Sequence, residues 1–451
     1  MKHESQLARL GLFDAKVPRY TSYPTAPHFS KDIGPSQFIE WIEAIPAGAS
    51  ISLYMHVPFC RRLCWFCACR TQGTQTDAPV KTYAETLIKE VAMLKSHLAP
   101  GVKLSRLHWG GGTATLLPAD SMRKIAEAVF EAVPLGEKGE FSVEIDPNEI
   151  DDERMDALAQ SGMNRASVGI QDFDPFIQSV IGREQSFEVT KMVVDMIRDR
   201  GINSLNADIL YGLPHQTPQK MTESVEKVLS LKPDRVAFYG YAHVPWMSRR
   251  QSLIPSENLP TPPERLELFH LSRELFTKAG YDVIGIDHFA LPHDGLATAL
   301  KAGKLRRNFQ GYTDDQAEAL VGLGASSISR FPQGFAQNES PTGTYTAAIR
   351  EGKFSTHRGF VFSKEDLMRG RLIEMLMCDF KADKAELVDQ WGADPAGLDA
   401  EFAACVAKFE DMVVVTEAGL EIPEHGRPLT RMIARHFDAY DLSKAGHSSA
   451  I

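Results

Sequence analysis

Apolar residues recur along this chain with two different periods. Between residues 50 and 245, short runs rich in β-branched and apolar side chains alternate with longer stretches whose apolar positions repeat every three or four residues. The short runs predict strands at ISLYMHV (51–57), LSRLHW (104–109), EFSVEI (140–145), RASVGI (165–170), NADILYG (206–212) and RVAFYGY (235–241). The longer stretches, such as YAETLIKEVAMLKSH (83–97) and FEVTKMVVDMIRDRG (187–201), predict helices between them. Six strands separated by five helices predict parallel β/α units. Nearly continuous apolar strands suit a sheet covered by helices on its outer face. The expected fold class is α/β, an open or partial (β/α)6 barrel, with its chemistry at the C-terminal ends of the strands.

The flanks have a different texture. The segment PRYTSYP (18–24) predicts an extended arm. Past residue 245 come a helix near 263–279, a strand-like YDVIGID (281–287) and the turn-rich RRNFQGYT (306–313). From about 351 the order becomes helix, helix, hairpin (MVVVTEAGLEI, 412–422), helix, which is winged-helix-like. The expected organisation is an N-terminal arm (1–49), a barrel domain with an extension (50–350) and a mostly helical C-terminal domain (351–451). Glu410, Asp411, Glu417 and Glu421 make the hairpin region acidic, which favours a packing or lid role over nucleic-acid binding.

Composition narrows the function classes. Hydrophobic content of 43% and charged content of 24% are ordinary for a globular protein. There is no apolar run of about 18 residues and no apolar signal region at the start, so the expectation is a cytoplasmic protein without a membrane partner. A formal net charge of −10 argues against a nucleic-acid partner. Of six cysteines, Cys60, Cys64, Cys67 and Cys69 fall within ten residues, while Cys378 and Cys405 stand apart. In a cytosolic chain this clustering points to metal or redox chemistry, not to a disulfide framework.

The cluster reads Cys60-Arg-Arg-Leu-Cys64-Trp-Phe-Cys67, immediately after the first strand. Three close thiols suit a soft, sulfur-binding centre. A structural zinc site takes four ligands, and a cubane iron–sulfur cluster usually takes four cysteines. Three would leave one iron open to a substrate. Cys69 is too near in sequence to be an easy fourth ligand, and a zinc knuckle would more often pair distant ligand couples. After the second strand comes Gly110-Gly111-Gly112-Thr113, whose backbone can approach a ligand closely. Glu144 ends strand three, Gln171 follows strand four, and Asp208 lies on strand five. Arg183 lies beyond strand four, and Ala242 ends strand six. Polar groups at successive strand ends point to a site on that face.

These motifs resemble the radical S-adenosylmethionine (SAM) superfamily, with Phe66 as the aromatic before the last cysteine. PRYTSYP, YMHVPFC, Cys69, LHWGGGT, EIDP, GIQDF, DILYGLPHQT, YAHVP, GIDHFA and RNFQGYT occur in order and resemble the oxygen-independent coproporphyrinogen III oxidases of heme biosynthesis. The resemblance implies a 4Fe–4S cluster on Cys60, Cys64 and Cys67, and two SAM molecules per turnover. The SAM molecules would be cleaved to deoxyadenosyl radicals that initiate oxidative decarboxylation of two propionates, giving protoporphyrinogen IX. It implies that Tyr54, Phe66, Gly111, Gly112, Thr113, Glu144, Gln171, Arg183, Asp208, Ala242 and Ile328 hold SAM. Tyr54, His56, Cys69, Glu144, Phe309 and Gln310 would lie at the catalytic centre. It also implies an electron donor such as flavodoxin or ferredoxin, with the enzyme expected to be a monomer.

A substrate with up to four carboxylates needs cations. The candidates are Arg19, Arg61, Arg62, Arg249, Arg250, Arg306 and Arg307. The sequence departs from the family at Ala68-Cys69-Arg70, where Gly-Cys-Asn is common. Two alternatives remain: a heme chaperone-like relative, against which the arm and Cys69 argue, and a radical SAM modifier of nucleic acid, against which the acidic balance argues.

Overall fold

The structure, a computed structural model, describes residues 2–440 and 448–451. Helix α1 (Lys2–Arg9) leads through a non-helical stretch at 18–25 to α2 (Pro35–Glu43), which starts with a proline in its first turn. β1 (Ser50–Val57) enters the sheet. A short pair, β2 (Phe59–Cys60) with β3 (Gln72–Gly73), then pinches off the loop between them. Five β/α crossovers follow. They run through α3 (Ala78–His97) to β4 (Lys103–Gly111), α4 (Ala119–Ala132) to β5 (Leu135–Ile145), and α5 (Asp152–Gln160) to β6 (Arg165–Gln171). The last two pass through α6 (Pro175–Val180) and α7 (Phe187–Asp199) to β7 (Ser204–Tyr211), and α8 (Pro218–Ser230) to β8 (Arg235–Gly240). All six expected strands are present, and they pair in parallel in chain order.

The sheet extends past both edges of this set. Beyond β8 come α9 (Pro262–Lys278), then β9 (Asp282–Ile284) and β10 (His288–Ala290), which pair antiparallel on the β8 side. The apolar run at 281–287 is thus an edge strand cut short where Gly285 turns with φ +54°. After α10 (Gly295–Lys301) and a hairpin of β11 (Arg306–Asn308) and β12 (Gly311–Thr313), β13 (Ala319–Leu323) adds a seventh parallel strand, placing Gly322 opposite Tyr54 of β1. Antiparallel β14 (Ile328–Phe331) and β15 (Gly334–Asn338) follow. After α11 (Thr342–Arg350), β16 (Thr356–Val361) closes that side.

Helices α3, α4 and α8 bury Leu87, Val91, Ile125, Val129 and Val225 against apolar strand residues such as Leu53, Leu107 and Val143. Burying each such side chain contributes about 1.5–3 kcal/mol. The inward-facing positions differ. Ion pairs at one end, Arg106 with Asp314 (2.8 Å), Arg165 with Glu140 (2.7 Å) and Arg235 with Asp294 (2.8 Å), tie the strand starts together.

The C-terminal part comprises α12 (Lys364–Asp379), β17 (Lys381–Asp383), α13 (Lys384–Asp389), α14 (Pro395–Phe409), the hairpin β18 (Val414–Thr416) and β19 (Gly419–Glu421), and α15 (Thr430–His436). The hairpin lies within the expected 412–422, with β17 as an additional partner of β19. Two sequence boundaries shift. β16 lies past residue 350 yet belongs to the large sheet, so the helical unit starts at Ser363, which caps α12. Residues 1–49 also divide: Phe38, Trp41 and Ile42 of α2 join the barrel core, while Leu7, Leu12, Val17, Tyr20 and Tyr23 join the C-terminal core. The stretch carrying PRYTSYP is non-helical as expected, but the chain before it forms α1.

Candidate active site

β1 and β4 run side by side, with Tyr54 opposite His108, His56 opposite Gly110 and Val57 opposite Gly111. The cysteine loop leaves the top of β1, and the triple glycine leaves the top of β4. They are sewn together by Gly112 N–H donating to Val57 O (2.8 Å) and Thr113 N–H donating to Phe59 O (2.8 Å). Any side chain at Gly112 would place a Cβ 2.6 Å from Phe59 O and 3.0 Å from Cys60 Sγ. Gly111 sits at φ +117°, where a Cβ would strike the His56 ring at 2.7 Å. Glycine at both positions lets this backbone lie against the cysteine loop.

Cys60 is buried, and Cys64 and Cys67 are half-buried. Burial pushes the Cys60 thiol up to about 11 and that of Cys64 above its ordinary value. Opposing donors surround them. Arg183 Nη1 approaches Cys64 Sγ at 3.6 Å, and Cys69 N–H points to Cys67 Sγ at 3.4 Å. The Cys69 thiol donates to Cys67, which holds the Cys67 thiol below its ordinary value. Sunken thiols of this kind form thiolates when a metal centre neutralises them. Among the described residues, no three His, Cys, Asp or Glu side chains lie close enough together to hold a single metal ion. The donor set of three soft thiols fits a polynuclear iron–sulfur group, whose ligands sit on separate irons.

The loop is braced from four sides. Trp65 N–H donates to Ile181 O (2.9 Å), and Gln251 donates to both Phe66 O (2.7 Å) and Ala242 O (3.0 Å). Ser248 Oγ donates to Cys67 O (3.0 Å), and Arg250 to Cys69 O (3.2 Å). Arg183, buried, also bonds Asp146 (3.1 Å), Gly169 O (2.8 Å) and Gln185 (3.0 Å).

Behind the loop, His56 Nε2 lies 3.1 Å from Arg70 O, and a carbonyl can only accept. That bond fixes the proton on Nε2, so Nδ1 accepts from the Tyr54 hydroxyl at 2.9 Å. Burial keeps His56 below its ordinary pKa and the Tyr54 phenol well above its own. Tyr54 stacks on His108 (5.8 Å, 15°), which contacts Ser142 Oγ at 2.7 Å and Glu144 Oε1 at 3.3 Å. Gly111 N–H donates to Glu144 Oε2 at 3.0 Å. Burial opposes the Glu144 charge, but His108 and the Gly111 N–H outweigh it, and the carboxyl stays below its ordinary pKa.

Glu144 opens onto a cavity of about 210 Å³ inside the barrel, shared with Asp208 and Gln310. Asp208 accepts from Ser167 (3.1 Å) and Asn206 (2.7 Å), and burial with the Glu144 charge pushes it up to about 6.

The sequence-predicted residues therefore form two connected groups. Tyr54, His56, Phe66, Cys69, Gly111, Gly112, Thr113 and Arg183 gather about the loop that carries the Cys60, Cys64 and Cys67 thiols. Glu144, Asp208 and Gln310 face the lumen. Gln171 ends β6 at φ +72°, beside a register shift, and Ala242 joins the brace through Gln251. Ile328 starts β14 at the loop that Tyr83 pins, with Ala325 N–H donating to Tyr83 Oη (2.8 Å) and Tyr83 donating to His56 O (2.9 Å). Phe309 packs edge-on against Phe335 (5.3 Å), outside the lumen lining. Arg61 bonds Asp77, and Arg62 reaches Glu184 O, so both serve the loop. The sequence reading missed His108, Ser142, Ser167, Tyr239, Gln251 and His288. For most of these the signal was a polar residue at every second position of otherwise apolar strands.

The radical SAM superfamily model matches residues 54–228. The chain is 68% identical over 451 residues, all of both chains, to an oxygen-independent coproporphyrinogen III oxidase of Paracoccus denitrificans. It is 37% identical to an oxygen-independent coproporphyrinogen III oxidase of Escherichia coli, covering 97% of this chain and 96% of that one. A solved coproporphyrinogen III oxidase from Escherichia coli, described as a radical SAM enzyme, superposes with TM-score 0.89 at 35% identity, covering 95% of this chain and all of that one.

Proposed function

This chain belongs to the oxygen-independent coproporphyrinogen III oxidases, which are radical SAM enzymes, and on that premise we propose how its own residues divide the reaction. The enzyme converts coproporphyrinogen III to protoporphyrinogen IX in heme biosynthesis by oxidative decarboxylation of two propionates, with a 4Fe–4S cluster and SAM as cofactors. When bound, the cluster and SAM would supply the one-electron chemistry and the carbon radical that the reaction at the propionates needs.

Cys60, Cys64 and Cys67 hold the cluster, and Arg183 and the Cys69 N–H offset the negative charge on the ligating sulfurs. Gly111 and Gly112 let backbone reach the bound SAM, and Thr113 and Phe66 border it. Glu144, charged and held by Gly111, accepts from SAM's donor groups. Asp208 and Gln171 extend that polar wall, while Ala242 and Ile328 line its mouth. The Tyr54–His56 pair stays neutral and protonated at fixed atoms, giving the reactive space a dry, rigid side. Cys69 and Gln310 lie where the substrate would pass, and Phe309 supports the Gln310 turn from behind. The electron donor is a flavodoxin or ferredoxin, and the enzyme works as a cytoplasmic monomer. No described helix is long and apolar enough to cross a membrane.

The observation that carries the reading is the junction of the cysteine loop with the glycine turn, with the Glu144 carboxylate bonded to the same turn. Anaerobic reconstitution with SAM and coproporphyrinogen III tests it. Deoxyadenosine and a product lighter by two carbon dioxides and four hydrogens should form together, and SAM cleavage without that product would refute the substrate.

A further inference from the structure

A second cavity, of about 550 Å³, lies between α9, the N-terminal arm and the C-terminal domain. It is distinct from the lumen. Asp287 and Arg307 line it, whereas their neighbours His288 and Asn308 line the lumen, because successive residues of extended chain face opposite ways. Part of its wall is apolar, with Tyr211, Leu266, Phe269 and Phe380, yet six arginines also line it: Arg19, Arg265, Arg273, Arg307, Arg427 and Arg431. Among the described residues, two acidic side chains line it with them. Glu424 is held by Arg273 at 2.6 Å; Asp287 bonds His288 at 2.6 Å and lies 3.9 Å from Arg307.

Some of these cations have structural duties. Arg431 bonds the carbonyls of Pro18 (3.1 Å), Ser449 (2.8 Å), Ala450 (3.1 Å) and Val17 (2.5 Å). Arg19 bonds Gly240 O (2.6 Å), and Arg265 bonds Tyr241 O (2.8 Å) and Gly212 O (3.3 Å). Donors remain after these are assigned. Arg307 Nε and Nη1 and Arg265 Nε are buried without a hydrogen-bond partner among the described residues, as is Nε of Arg427. The Arg307 side chain is 4% exposed, so solvent does not satisfy it. Burial and neighbouring arginines push Arg431 down to about 9 and lower Arg265. Unpaired buried donors are costly, and guanidinium forks match carboxylates through two parallel bonds.

We propose that this cavity binds the carboxylate of an apolar organic acid, of the tetrapyrrole-propionate class, at a place separate from the barrel lumen. The site itself stands on the unpaired arginine donors; the choice of class rests on the enzyme reading given above. The apolar wall takes the ring edge, and Arg307 and Arg265 take the carboxylate.

The test uses anaerobically purified holoenzyme titrated with coproporphyrin III, its tetramethyl ester or decanoate, read by porphyrin fluorescence and thermal midpoint. The free acid should bind and raise the midpoint, and the ester should do neither. Arg265→Gln and Arg307→Gln should each weaken acid binding by about tenfold or more. Arg427→Gln, at a half-buried position where the guanidinium stacks on Phe380 (4.3 Å), should weaken it by a smaller factor. Equal effects of acid and ester on the wild-type protein, or unchanged affinity in all three variants, overturn the site. Decanoate competing as well as the porphyrin overturns the tetrapyrrole assignment. Product mass is read separately, so an enzyme that still makes protoporphyrinogen IX while its variants bind unchanged loses only this cavity.

Discussion

Cys64 receives a charged donor from Arg183, itself anchored on Asp146, Gly169 and Gln185. On the proposed reading its thiolate is both a cluster ligand and part of a fixed electrostatic frame. Cys64→Ala should abolish the brown iron–sulfur absorbance and reduce SAM cleavage to background; retained absorbance would reassign the ligand. Glu144→Ala removes a carboxylate held by His108 and Gly111. It should leave the absorbance intact while weakening SAM binding about tenfold or more, measured by equilibrium dialysis. At this scale the sequence was most readable where chemistry demands a residue type at a fixed spacing, as with the three thiols and the glycines. Gln251 was not readable, although it is 1% exposed and joins Phe66 O to Ala242 O, because glutamine has no spacing signature and its partners are distant backbone carbonyls.

At the scale of elements, α3 shows how a helix can hold the mouth of the barrel. Glu90 on α3 is fully buried and accepts from Gly324 N–H (2.8 Å), Asn338 (3.0 Å) and Tyr345 (2.6 Å). Burial wins over those donors and pushes its carboxyl up to about 7. The folded chain therefore binds a proton that the unfolded chain releases near pH 4.5. Its contribution to stability is whole below pH 4.5 and is lost as pH rises to about 7, about 3 kcal/mol across that window. Denaturant midpoints of the wild type should fall with pH across this range. In Glu90→Gln the fall should be correspondingly shallower; equal slopes would show that Glu90 does not titrate there. The six strands were legible because buried parallel strands are nearly all apolar. β13 to β16 were not. The run ALVGL (319–323) is short, and the register that joins it to β1 is set by tertiary pairing across about 270 residues of chain.

At the scale of the molecule, the N-terminal arm is an interior component of the C-terminal domain. Leu7, Leu12, Val17, Tyr20 and Tyr23 are buried in that core, Tyr20 bonds Asp438 at 2.8 Å, and Arg431 clasps the carbonyls of Val17 and Pro18. A flexible substrate arm would tolerate removal. Deleting residues 1–30 should instead make the region beyond residue 363 more sensitive to limited proteolysis while the barrel resists, and decarboxylation should be lost with it. An unchanged digestion pattern would restore the picture of an independent arm. The PRYTSYP segment was visible in the sequence, but its role was not, because nothing local reveals that its partners lie some 400 residues away.

The brace on the cysteine loop also has a consequence in time. Ser248 and Gln251 hold Cys67 O and Phe66 O from 181 and 185 residues downstream. At ribosomal speeds of roughly 5–20 residues per second, the thiols emerge roughly ten to forty seconds before the segment that secures them. Iron–sulfur delivery to a nascent chain would meet a loop still free to open, and completion of the segment after β8 would then latch it shut.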